Sequence, residues 1–162
     1  MVGLLRLFGP RCDLINGIEW LAFGDSIALG VAQAAGLPCN AVVGRMPDAV
    51  QAAIERTEPE FIRGRSVILS TGLSNNPDGK AHVMPQFLAL IRAGARMIVV
   101  VGMGAGSPEV DWLYGLNDWL TAEIDKAKQP SIIRFAGPLQ SVRPDGVHPY
   151  YDQLVDQINA IL

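Results

Sequence analysis

The feature that most limits what this chain can fold into is a repeated order: a short apolar run, then a segment whose apolar residues recur at helical spacing. Runs of strand length fall at residues 18–23, 40–43, 66–71, 96–101 and 131–135, and the fourth is the most apolar. The spacing predicts helices near 26–35, 47–56, 84–93 and 110–126, and a last one through Tyr151, Leu154, Val155, Ile158 and Ile161. In the second of these Val50, Ala53 and Ile54 share a face, and Pro47 stands at the first turn, where its missing N–H costs nothing. Phe87, Leu88 and Ile91 do the same in the third; Leu113, Leu116, Leu120 and Ile124 make the stripe of the fourth. Strands apolar on both sides and separated by helices imply a parallel sheet covered on both faces. The fold class is therefore α/β, a three-layer α/β/α sandwich around a five-stranded parallel sheet.

The 162 residues suit one domain with one core, spanning 1–162 with residues 1–17 as a lead-in. An apolar fraction of 49% with 18% charged residues is that of a compact protein and argues against disorder. Thirteen basic against 16 acidic side chains, with no basic run, leave no footprint for a phosphate backbone, so nucleic acid is not an expected partner. No segment approaches the roughly twenty apolar residues a membrane span needs. The first residues are broken by Arg6, Gly9 and Pro10 and lack the core and cleavage site of a signal peptide. The expectation is a soluble protein, with two compartments open: cytoplasmic, or secreted after loss of a leader. Cys12 and Cys39 have no metal spacing, and a disulfide between them stays open. No metal and no cofactor are implied.

Within that frame, the run from Ile18 to Phe23 stops at Gly24 and a small-residue helical segment follows, which places Ser26 where strand becomes helix. The first N–H groups of a helix have no partner within it, and the positive end of the dipole lies there, so negative charge beside the hydroxyl is favoured. The simpler reading is that Asp25 or Ser26 only caps the helix. What weighs against leaving it there is placement. Parallel sheets of this kind bind ligands beyond the carboxyl ends of their strands. On that rim, with Ser26, fall Gly44 after the second strand, the loop 72–77 after the third, and Asp145-Gly-Val-His148 before the last helix.

Each residue type suits acyl transfer. A serine hydroxyl needs a base, and an imidazole is the usual one. A carboxylate three residues before His148, on a loop that Gly146 can bend, can reach the other ring nitrogen and fix the tautomer. Pro149 is expected to keep His148 out of helical geometry and to start the last helix. The backbone N–H groups of Ser26 and Gly44 and the amide of Asn75 can serve an oxyanion. Each part has a plainer role as well: Asp-Gly, Gly44 and Asn75-Asn76-Pro77 are all good turn formers.

These blocks resemble the SGNH, or GDSL-type, hydrolases. Gly24-Asp25-Ser26-Ile27 is similar to the first block with Ile for the usual Leu, Gly44 to the glycine of the second, and Asp145-Gly-Val-His148 to the D-x-x-H of the fifth. The third block, G-x-N-D, departs: position 74 is Ser74, and one extra residue restores the match as Gly72-Leu-Ser-Asn75, with Asn76 the other choice for the amide. The resemblance implies the flavodoxin-like SGNH fold and a metal-free serine esterase or lipase. Ser26 would be the nucleophile, His148 the base and Asp145 its orienter, with Ser26, Gly44 and Asn75 as oxyanion hole. With little chain left for a lid, the cleft should be shallow and favour short acyl groups such as acetyl, on a small molecule or a carbohydrate. A long-chain lipase or acyl thioesterase, or an inert relative that only binds carbohydrate or a partner, is the alternative.

Three features stand outside these blocks. His82, in a polar stretch, reads as a surface residue. Trp112 and Tyr114 read as core, or as walls of an acyl or alcohol pocket. The glycine-rich loop 102–107 suggests dinucleotide binding, but Ser107 stands where G-x-G-x-x-G needs glycine or alanine, and the motif belongs after the first strand.

Overall fold

The structure, a computed structural model, describes residues 19–162. The expected lead-in, the expected strand residue Ile18 and one member of the Cys12–Cys39 question lie outside the described residues. Cys39 is not a free thiol.

Five strands, β1 (Trp20–Gly24), β2 (Cys39–Ala41), β3 (Ser66–Leu69), β4 (Met97–Val101) and β5 (Ile133–Ala136), form one sheet in the order β2-β1-β3-β4-β5. Every neighbouring pair is parallel. Five α-helices connect and flank them: α1 (Ser26–Ala35), α2 (Pro47–Arg56), α3 (Val83–Arg92), α4 (Leu116–Ala127) and α5 (Tyr151–Ala160). This is the expected α/β sandwich in its flavodoxin-like strand order.

Both faces of the sheet are buried, and the two-residue period of a strand sorts its side chains cleanly. Leu21, Phe23, Val67, Leu69, Ile98 and Val100 enter a core with α2, α3 and α4 through Val50, Ile54, Phe87, Leu90 and Leu120. Ala22, Ile68, Val99 and Val101 enter the other, beneath α1 and α5, with Ile27, Val31, Leu154 and Ile158. The chain leaves β1 by α1 on one face to reach β2, then crosses by α2 on the opposite face to reach β3. The strand order reverses between β1 and β3, and at such a switch point the two connections diverge and open a crevice.

The helix expected over 110–126 is two elements. A short 3-10 turn, Pro108–Leu113, is followed by a break at Gly115 (φ 75°), from which α4 starts. Only glycine takes that left-handed conformation at no cost, which is why the helical spacing of Leu113 and Leu116 does not make one rod. Two further 3-10 turns, Pro59–Phe61 and Pro77–His82, were not evident from periodicity. β5 begins two residues later than expected because Ile132 and Ile133 still donate to Gln129 O in a turn. Pro149 does not start α5: the cap is Tyr150, and Pro149 pairs with Val142 in an isolated antiparallel bridge.

Candidate active site

Asp25 and Ser26 divide the two roles that the sequence left open between them. Asp25 is the N-cap of α1, fully buried, and accepts from the Ile27 N–H at 3.0 Å. Ser26, the first helical residue, is thereby free to turn its side chain outward. Gly24 makes the junction possible: its φ is 141°, and a Cβ there would stand 2.1 Å from Ser70 O at the end of β3.

The Ser26 hydroxyl lies 3.0 Å from His148 Nε2, a contact across 122 positions of sequence. His148 Nδ1 lies 2.7 Å from Asp145 Oδ2. A carboxylate can only accept, so Nδ1 carries the ring proton and Nε2 is left to accept from Ser26. The loop is held by the same carboxylate, whose Oδ1 accepts from the N–H groups of Val147 and His148, both at 2.9 Å. Arg143 N–H donates to His148 O at 2.7 Å and closes the turn from the other side.

Asp145 titrates low. Desolvation acts to raise it, but the hydrogen bonds from the backbone and ring of His148 and from Val147 prevail and hold it at about 2. The carboxylate is therefore ionised throughout the neutral range. Asp25 moves the other way: burial raises it, against hydrogen bonds from Ser70, Ile27, Ala28 and Ser74.

The other rim residues are tied to this group through Asp25. Ser74 is buried, and its hydroxyl approaches Asp25 Oδ2 at 3.4 Å. The Asn75 amide donates to Arg45 O at 3.0 Å and lies 3.4 Å from Asp25 Oδ2. That bond joins the third-block loop to the residue after Gly44. Gly44 has φ 77°, and nothing stands within 4 Å of where its Cβ would be. At Gly72 the loops touch: a Cβ there would meet the backbone of Arg45, Met46 and Pro47 at 2.9 Å. Asn76 is otherwise engaged, its side chain accepting from Asp78 N as the cap of the 3-10 turn. The structure thus gathers Ser26, Asp145, His148, Gly44 and Asn75 at one rim.

Several residues of this neighbourhood carry no motif. Tyr151, in sequence only one apolar position of the last helix, donates its hydroxyl to Ser26 O at 3.1 Å. Gln86, fully buried on α3, donates to Pro47 O at 3.0 Å and Thr71 O at 3.1 Å, stapling the loops that carry Gly44 and Asn75. A polar residue on an otherwise apolar helix face was the signal for it. Asn117 grips Met103 through N–H and C=O, both at 2.9 Å, and fixes the loop after β4. His82 is partly buried rather than a plain surface residue, with Nδ1 2.7 Å from Gln51 Oε1, and it contributes nothing to the Ser26 group.

Among the described residues no cluster of three or more His, Cys, Asp or Glu could hold a metal ion. Among them, too, no helix is long and apolar enough to cross a membrane.

No family model matches the chain, and no curated protein matches it by sequence. Solved structures do match in shape. A lipase from a goat rumen metagenome superposes with a TM-score of 0.66 at 11% identity, over 87% of this chain and 95% of its own. A GDSL-like lipase from Bacteroides thetaiotaomicron VPI-5482 gives a TM-score of 0.61 at 12% identity, over 99% of this chain and 96% of its own. The chain has the fold of these lipase structures.

Proposed function

We propose that this protein is a carboxylic ester hydrolase of the SGNH, or GDSL-type, superfamily that works through an acyl-enzyme on Ser26. The observation that carries the reading is the line from the Ser26 hydroxyl through the two nitrogens of His148 to Asp145, at 3.0 and 2.7 Å. Shape similarity to structures described as lipases, one of them GDSL-like, supports it.

In the first half-reaction the Ser26 oxygen attacks the ester carbonyl as its proton passes to His148 Nε2. The tetrahedral oxyanion is met by the N–H groups of Ser26 and Gly44 and by the Asn75 amide. One hydrogen of that amide is committed to Arg45 O; the other, only loosely held by Asp25 at 3.4 Å, is the one offered to the oxyanion. The intermediate collapses, the carbon–oxygen bond to the alcohol breaks, and His148 returns its proton to the leaving oxygen. Water then repeats the sequence on the acyl-enzyme, releasing the acid and restoring Ser26. Asp145, fixed as an anion, stabilises the imidazolium in both halves.

The substrate is an ester of a short acyl group, from acetyl up to hexanoyl, on a small molecule or a carbohydrate. The longer-chain reading is favoured by one observation, the apolar side chains left in solvent beside the oxyanion loop: Val42 51%, Val43 69% and Met46 49% exposed. Treating the protein with a fluorophosphonate and measuring its mass tests the nucleophile. A single adduct on Ser26, absent in Ser26→Ala, is expected together with hydrolysis of p-nitrophenyl acetate; an unlabelled, inactive wild type defeats the reading.

A further inference from the structure

The break in the helix expected over 110–126 leaves the Pro108–Leu113 turn as a strap between two site loops. At one end the Trp112 indole N–H donates to Ser74 O at 3.0 Å, the carbonyl next to Asn75. At the other, Val110 packs on the turn that carries His148: a Cβ at Gly146 would stand 2.9 Å from Val110 Cγ2. Trp112 is nonetheless 42% exposed, and Tyr114, whose ring lies over Gly106, is 55% exposed. Trp is highly buried on average, and an aromatic ring held in place by its one polar atom loses little freedom when it binds something. An exposed apolar surface at a rim that also holds a nucleophile marks a contact for ligand.

We propose that Trp112 is a specificity-determining residue: its exposed face carries the acyl chain of the substrate, so that butanoyl and hexanoyl esters are held better than acetyl ones. The proposal rests on the ester-hydrolase reading of Ser26. The acyl half is the half assigned to this wall because the leaving oxygen must face His148 to be protonated. The acyl half also stays on Ser26 through both steps, so a ring fixed on the neighbouring Ser74 carbonyl can act on it throughout. Each methylene laid against the indole leaves water, and that burial is the source of the selectivity.

The test uses the full chain and p-nitrophenyl acetate, butyrate and hexanoate, with two variants that separate surface from anchor. Trp112→Gln keeps a donor for Ser74 O and loses the ring; Trp112→Phe keeps the ring and loses the donor. Trp112→Gln is expected to lower the hexanoate-to-acetate ratio of kcat/KM about fivefold, and Trp112→Phe to hold it near the wild-type value. Three results overturn the proposal: a ratio unchanged in Trp112→Gln, a ratio that rises because longer chains gain, or a ratio lost equally in Trp112→Phe. A wild type that turns over acetate but neither longer ester overturns it as well. A wild type that hydrolyses none of them and takes no fluorophosphonate strikes instead at the role of Ser26.

Discussion

The ring of Tyr151 occupies the place where a side chain at Gly30 would stand: a Cβ there would fall 2.1 Å from the Tyr151 Cζ atom, while the Tyr151 hydroxyl reaches Ser26 O at 3.1 Å. Burial first, and then the charge of Asp25, push the Tyr151 hydroxyl up to about 12, so it remains a neutral donor over the working range. In an ordinary helix Gly→Ala stabilises by about 1 kcal/mol. Here Gly30→Ala should destabilise by about 1–3 kcal/mol, since the ring must move. In a Tyr151→Ala background the same change should cost far less, a coupling above about 1 kcal/mol in a double-mutant cycle read by urea denaturation. Additive costs would show that the ring does not set the demand for glycine.

Asp145 gives a prediction in pH. Its folded value of about 2 lies below the ordinary 3.8, so the group binds fewer protons folded than unfolded. Its contribution to stability is fully present above the ordinary value and is lost as pH falls through the folded one. Asp145→Asn should flatten the acid limb of stability between those two values, measured as denaturant midpoints. It should also lower kcat by roughly 10²–10⁴, because an amide can offer its N–H to His148 Nδ1 and turn the tautomer the wrong way. A variant with unchanged rate would remove Asp145 from the reaction.

Asn75→Ala tests the oxyanion amide. Loss of one such donor costs about 10²–10³ in kcat in acyl-transfer sites, and KM should move little, since the interaction strengthens only as charge develops. Asn76→Ala, which removes a turn cap, should cost about 1 kcal/mol of stability and leave kcat near wild type. The reverse pattern in steady-state kinetics would transfer the role to Asn76.

Gly72→Ala addresses the contact between the two loops. Its φ of 88° and the backbone atoms at 2.9 Å leave no room for a methyl group. A loss of about 2 kcal/mol or more is expected in thermal or urea melts, with a fall in kcat as the Gly44 and Asn75 loops part. A stable variant with full activity would mean that their spacing is not set here.

The layers of the fold were legible because the three central strands, β1, β3 and β4, are apolar on both faces and the helices between them repeat apolar residues at helical spacing; α1 and α2 begin and end where spacing and Pro47 put them. Ser26, His148 and Asp145 were legible as a set because three residue types with one shared use all fell after strand ends. What the sequence did not show was local and steric. Gly115 has no signature that separates a helix break from a tolerated glycine, so the choice between core and pocket wall for Trp112 and Tyr114 stayed open until the break was seen. Tyr151 looked like any apolar position, because the demand for it comes from Gly30, far back along the chain, and no periodicity links the two. The divided labour of Asp25 and Ser26 was visible only as ambiguity, since adjacent Asp and Ser are equally good caps.

Ser26 and His148 are carried by opposite ends of the described chain, one leaving β1 and the other just before α5. On the proposed reading, any state in which β1 is paired with β3 and α5 is not yet seated would hold a serine with nothing to deprotonate it. Recovery of ester turnover after dilution from denaturant should accordingly trail the return of sheet structure, which makes the rate assay a clock for the last docking event.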